Sequence, residues 1–132
     1  MRDHDALIAW LRARRDLPFA WGSNDCFRHA FGAVKAQTGR NLARELGARW
    51  TGKASALAEL RRLGGVEAVL DRVLVRVPPA MAHRGDIGLT DGDGGPCLVV
   101  FEGETVAGVH PTGHVRLPRG VVLVAWSVEG RP

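Results

Sequence analysis

No apolar run in the sequence reaches the roughly 18 residues that a membrane-spanning helix requires, so no transmembrane span is expected. The opening residues Met1 to Asp5 are mostly charged or polar and lead into a mixed segment without a secretory apolar stretch. This predicts a chain that starts in the cytosol. Cysteine is scarce: Cys26 and Cys97 stand far apart, with neither zinc-finger spacing nor a Cys-x-x-Cys motif. Neither a metal module nor a disulfide scaffold follows from them, and no cofactor is expected. Lysine is nearly absent. Lys35 and Lys53 are the only lysines among 18 basic residues, so the net charge of +4 rests on arginine, which suits carboxylate and phosphate pairing at interfaces. The basic residues lack the interleaved aromatics or recognition motif of a nucleic-acid reader, so no specific nucleic-acid partner is expected. Arg12, Arg14, Arg15, Arg44, Arg49, Arg61 and Arg62 read as solvated helix faces.

What is present is enough for one core. With 132 residues, 45% of them hydrophobic and 24% charged, the chain reads as a single domain over residues 1–132. A chain of this size buries roughly two-thirds of its unfolded surface. The 17 glycines and 7 prolines fall between patterned segments, which predicts short strands and tight turns.

Leu7, Ile8, Trp10 and Leu11 recur at helical spacing between Asp5 and Arg15, and Pro18 ends that pattern. Ser23 and Asn24 are suitable N-caps for a second helix with the apolar stripe Phe27, Ala30, Phe31, Val34 and Ala36, which Gly39 closes. Residues 42–46 and 55–63 read as two short helices, and 66–70 as a further helical turn. After Arg72 the period changes. Val73, Val75 and Val77 alternate, and residues 87–89, 97–101, 105–109, 114–117 and 121–128 read as strands, with turns at 92–95 and 102–104. The expected fold is α+β: a helical part over about 3–72, then an antiparallel meander over about 73–128.

The segment Pro18-Phe19-Ala20-Trp21-Gly22-Ser23-Asn24-Asp25-Cys26 delivers a cysteine into the first turn of a helix, with Trp21 and Asp25 lining the same place. Unpaired N–H groups and the positive end of the helix dipole favour thiolate there, which makes Cys26 a candidate nucleophile. The competing reading is a small side chain filling the core.

Residues 18 to 39, with aromatic-Ala-Trp-Gly, Asp-Cys and a closing Thr38-Gly39, resemble the nucleophile segment of the NlpC-like cysteine peptidases, papain-related bacterial cell-wall hydrolases. Ala82 to Leu89 resemble that family's Gly-Asp strand, residues 97 to 110 its next hairpin, and Val124-Ala125-Trp126-Ser127-Val128 its closing strand. The resemblance is nearest to the small phage-associated branch encoded among tail genes. It implies a papain-like fold, helices packed on the sheet, and Cys26 at the sheet-facing start of the second helix. In the hydrolases a histidine opens the first strand of that hairpin and takes the thiol proton. Cys97 stands at that position here, and His110 matches the residue that orients the histidine.

Other histidines are weaker substitutes for the base. His29 lies one turn beyond Cys26 on the same helix, a poor geometry for attack on a third atom. His114 shares the side of His110 if the strand alternates regularly, and His4 and His83 read as solvent-facing. The resemblance brings Cys26 and Cys97 face to face, where two thiols suit apolar packing, a disulfide, or a metal site recruiting His110. Packing is the default, and no metal is assigned. Asp91-Gly92-Asp93-Gly94-Gly95 resembles a calcium loop only superficially, because Pro96 falls where that loop requires glycine and the flanks read as strands. Trp10, Trp21, Trp50 and Trp126 read as core or interface anchors.

The loss of the base implies a degenerate peptidase fold acting as a non-catalytic structural or assembly part of a phage tail tip or baseplate. Its expected partners are other tail proteins, met through arginine-rich helices and exposed tryptophans, and further copies of itself in a ring. Its expected locations are the host cytoplasm and then the virion. The other reading is an active thiol hydrolase cleaving peptide bonds of peptidoglycan, with Cys26 as nucleophile and His110 or His29 moving the proton.

Overall fold

The computed structural model describes residues 2–92 and 95–130. Five helices come first: α1 His4–Arg14, α2 Cys26–Thr38, α3 Leu42–Leu46, α4 Lys53–Leu63 and α5 Val66–Val73. Six strands follow: β1 Val75–Val77, β2 Ile87–Gly92, β3 Gly95–Phe101, β4 Thr105–His110, β5 Gly113–Pro118 and β6 Val124–Ser127. Short 3-10 turns stand at Pro79–Met81 and Arg119–Val121. The α+β order is thus as the sequence suggests, with helices N-terminal and an antiparallel sheet C-terminal. No helix among the described residues is long and apolar enough to cross a membrane.

The sheet order is β1-β6-β2-β3-β4-β5, so the meander holds only from β2 to β5. The last strand inserts between the first two, pairing Val75 with Ser127 on one side and Ile87 with Trp126 on the other. Strand periodicity fixes which face a residue takes, not which strand becomes its neighbour. The segment expected as one strand over 121–128 is broken at its start by the 3-10 turn, where Val122 N–H returns to Arg119 O. Val73, read as a strand residue, belongs to α5, because its side chain continues the buried stripe of Val69 and Leu70. Residues 93 and 94 of the acidic turn lie outside the described residues.

Strand β3 explains the two-sided core. Leu98 and Val100 face the helices, packing with Leu7, Phe31, Val34, Leu70 and Trp126. Cys97, Val99 and Phe101 face the other way, against Ala82, Val106, Val122 and Ala125. A strand covered on both faces reads as a continuous apolar run, as Cys97-Leu98-Val99-Val100-Phe101 does. Part-buried Cys26, at the start of α2, touches both clusters.

Arginine divides into two populations. Arg12, Arg15, Arg44, Arg49, Arg61 and Arg62 are exposed, as expected of solvated faces, whereas Arg14 is half-buried, its guanidinium 4.2 Å over the Trp10 ring. Others act inside: Arg119 Nη2 donates to Pro79 O and Ala82 O at 2.9 Å each, and Arg40 Nη2 donates to Val73 O at 2.7 Å. Asp86, fully within the fold, accepts from His83 N at 2.8 Å and Val128 N at 3.2 Å and pairs with Arg2 at 2.9 Å. Gly85 before it has φ +92 and presses on the Gln37 side chain, leaving no room for a Cβ. The Gly-Asp pair therefore anchors the entry to β2.

Candidate functional site

A short loop aims Cys26. Asn24 N–H bonds to Ala20 O at 2.8 Å, and the Asn24 side-chain amide donates to Pro18 O at 2.8 Å and Leu17 O at 3.2 Å. Gly22 has φ +86 and packs against the Thr51 backbone, where a Cβ would clash. Asp25, and not Ser23 or Asn24, is the N-cap of α2: its Oδ1 accepts from Arg28 N at 2.8 Å. Its Oδ2 takes Gly22 N at 2.9 Å and the Trp50 indole N–H at 2.8 Å. Three donors on one fully buried carboxylate outweigh the cap preference of its neighbours, whose side chains stabilise the loop or face solvent. Cys26 is thereby the first helical residue. Its own N–H has no intrahelical partner, and its sulfur sits at the positive end of the dipole.

Across from Cys26 the sheet opens. β3 and β4 pair at Val100–Ala107 and Phe101–Val106, and the ladder does not continue to Leu98 and Val109. Gly108 lies at the opening, where a Cβ would come within 2.9 Å of Leu98 O. Sulfur takes up the released backbone groups. Cys97 Sγ lies 3.5 Å from Leu98 O and 3.7 Å from Val109 O. Cys26 packs against the cluster that contains Cys97, and both are free cysteines.

The pair is electrically unequal. Cys26 is held below the ordinary thiol value, first by the hydrogen bond from Cys97 and then by the Leu98 N–H and its own N–H, against burial and the neighbouring Asp25 charge. Cys97 is pushed up, because its proton is held by the Cys26 sulfur and its site is buried. Cys26 is therefore the thiol of the pair that ionises first.

The histidines divide across the sheet. Cys26 Sγ has Cys97, Leu98 and Asp25 around it, and no histidine among the described residues contributes to its titration. His29 is fully buried, neither ring nitrogen has a hydrogen-bond partner, and burial together with the nearby charges of His114 and Arg14 pulls it down to about 4. His110 pairs with Gly113 and His114 with Val109, so His110 and His114 point to opposite faces, correcting the shared side expected for them. His114 meets His29 on the helix side. His110 lies with Cys97, Thr90, Thr112 and Val115 around a groove of about 660 Å³ on the other face, its Nδ1 3.3 Å from Thr112 Oγ1. His4 and His83 are exposed.

Trp21 packs edge-on against Phe19 at 5.1 Å between ring centres, next to the helix-side core. Trp50 and Trp126 are buried, as the core reading of the tryptophans has it and leaving neither for an exposed interface, and each indole N–H reaches a carboxylate: Asp25 for Trp50 and Asp71, also at 2.8 Å, for Trp126. Sequence reasoning missed Trp50 and Leu98 as parts of the site. Trp50 is brought in by the fold and Leu98 acts through its backbone, so neither carries a local signal. No cluster of three or more metal-ligating side chains occurs among the described residues.

Fold and site together define an α+β domain in which a helix-start thiol is opposed by a strand thiol. A family model described as "Domain of unknown function (DUF6950)" matches residues 1–128, and the chain belongs to that family. No curated protein matches it, and no solved structure does.

Proposed function

We propose that this domain is an NlpC-like cysteine-peptidase scaffold that no longer turns over, serving as a non-catalytic structural or assembly component of a phage tail tip or baseplate. The observation that carries this reading is that no hydrogen bond joins Cys26 to a histidine among the described residues: His29 is buried without a ring partner and His110 stands by Thr112 on the groove side. A thiol peptidase needs a group that accepts the sulfur proton and returns it to the leaving amine. Cys97 is a poor one: it holds its own proton tightly and faces two carbonyl oxygens. Losing that exchange costs several orders of magnitude in rate. The phage-tail setting is supported by the four segments that resemble the tail-encoded branch. In that setting the exposed arginines of α1 and α4 meet neighbouring tail proteins or further copies in a ring, first in the host cytoplasm and then in the virion.

One observation favours the other reading, a hydrolase acting on peptidoglycan peptides: Cys26 is the first residue of α2, where helix-start N–H groups favour thiolate. There Cys26 would attack the carbonyl, helix-start N–H groups would hold the oxyanion, and His110 would move the proton from across the groove. The test is twofold. Particles purified from a producing strain should contain the chain in fixed stoichiometry, and a Cys26→Ala chain should assemble into particles of undiminished infectivity. Release of peptides from purified sacculi by the wild-type chain, abolished in Cys26→Ala, would overturn the non-catalytic reading.

A further inference from the structure

We propose that Cys26 and Cys97 form a dithiol–disulfide exchange site that reacts with small-molecule disulfides such as oxidised glutathione and closes to an intramolecular disulfide. The inference goes beyond the scaffold role and holds whether or not the domain hydrolyses anything.

Three features of the structure carry it. Cys26, delivered by the start of α2, packs against the cluster that holds Cys97 of β3, so the fold brings the two cysteines together. Cys26 is part-buried, and Cys97, though buried as a residue, lines the groove that holds His110, so both lie within reach of the surface. The opened β3–β4 ladder leaves the Leu98 and Val109 carbonyls facing the Cys97 sulfur, a polar setting that simple apolar packing of two thiols does not require.

The chemistry begins at Cys26. Cys26 thiolate attacks one sulfur of the disulfide RSSR, forming Cys26–S–SR and expelling RS⁻. Capping removes the negative charge that held the proton on Cys97, so the Cys97 thiol becomes easier to ionise. Its proton passes to the expelled thiolate or to solvent. Cys97 then attacks the Cys26 sulfur, forming the Cys26–Cys97 bond and expelling the second RS⁻. In sum two protein thiols are oxidised by two electrons, and one RSSR is reduced to two RSH. Excess small-molecule thiol reverses the sequence.

The experiment incubates the full-length chain with graded ratios of oxidised to reduced glutathione, quenches with acid, alkylates under denaturing conditions with N-ethylmaleimide, and reads intact mass. The expected wild-type product loses both alkylatable thiols while gaining no glutathione and no disulfide to a second chain. Cys97→Ser should stop at a stable glutathione adduct on Cys26, whereas Cys26→Ser should leave Cys97 free to alkylate. A wild-type chain that accumulates the Cys26 adduct with Cys97 still alkylatable, that forms intermolecular disulfides instead, or that stays fully reduced under strongly oxidising ratios would overturn the proposal. The wild-type measurement decides even if a buried serine at position 97 impairs folding, and no outcome depends on the sacculus assay.

Discussion

Replacing His29 with leucine should flatten the acid side of the stability curve. The imidazole is buried between α1 and the sheet, its two nitrogens lack partners, and Arg14 and His114 are the cations closest to it. Folding pulls it from an ordinary value of 6.5 down to about 4. Above 6.5 the ring is neutral in both states and has no pH-dependent effect. As pH falls below 6.5 the unfolded chain takes up a proton that the folded chain refuses, so stability drops until the folded ring titrates near 4. At about 1.4 kcal/mol per pKa unit, the loss attributable to His29 is about 3 kcal/mol across that window. Carboxylates held low by arginine, such as Asp71 and Glu129, lose their contribution only as pH falls below their ordinary values of 3.8 and 4.5, so the range from 6.5 to 4.5 reports on histidines. His114, also lowered by burial, remains in both proteins. The assay is urea unfolding followed by tryptophan fluorescence at half-unit pH steps. Wild type should lose stability through that range, while His29→Leu should lose about 3 kcal/mol less by pH 4 and be no less stable at pH 7, since two unsatisfied nitrogens are gone. Parallel curves for the two proteins would refute the assignment of the buried charge penalty to His29.

The thiol pair predicts that iodoacetamide modifies Cys26 with a titration midpoint below the ordinary 9.0, that Cys97 stays unmodified in the folded chain, and that Cys97→Ala raises the Cys26 midpoint by removing its largest stabilising contact. Asp25→Ala should lower stability by about 2–4 kcal/mol in chemical denaturation, since it removes a helix cap and strands the Trp50 indole N–H. Asp25→Asn should recover part of that loss, and an alanine variant as stable as wild type would show that the carboxylate is not the anchor of the loop. Gly85→Ala should cost at least about 2 kcal/mol, because φ is +92 and the new methyl meets the Gln37 side chain. An unchanged urea midpoint would contradict that packing.

How far the sequence reveals this structure depends on the range of the interaction concerned. The start and stop of α2 were legible because they are local: a run of cap-capable residues, an apolar stripe, then Gly39 with φ +80. Which residue caps was not, since Gly22, Ser23, Asn24 and Asp25 are all adequate, and the choice was made by the Trp50 indole arriving from a distant loop. The strands were visible as alternation, yet the insertion of β6 between β1 and β2 leaves no trace in periodicity. The burial of His29 went unread for a related reason: a polar residue beside an apolar stripe looks solvated until β5 brings His114 over it. Of the site, Cys26 was legible from position alone. The juxtaposition with Cys97 was suggested only by resemblance, and the part played by Leu98 N–H belongs to the backbone.

The carboxylate of Asp86 binds the guanidinium of residue 2 and the amide of residue 128 at once, so the two extremities of the described fold converge on one point. A linker of a few residues from Glu129 to Arg2, whose side chains already pair, would therefore close the described fold into a ring. Such a ring would gain resistance to heat mainly by restricting the denatured chain, with the folded arrangement left as it is.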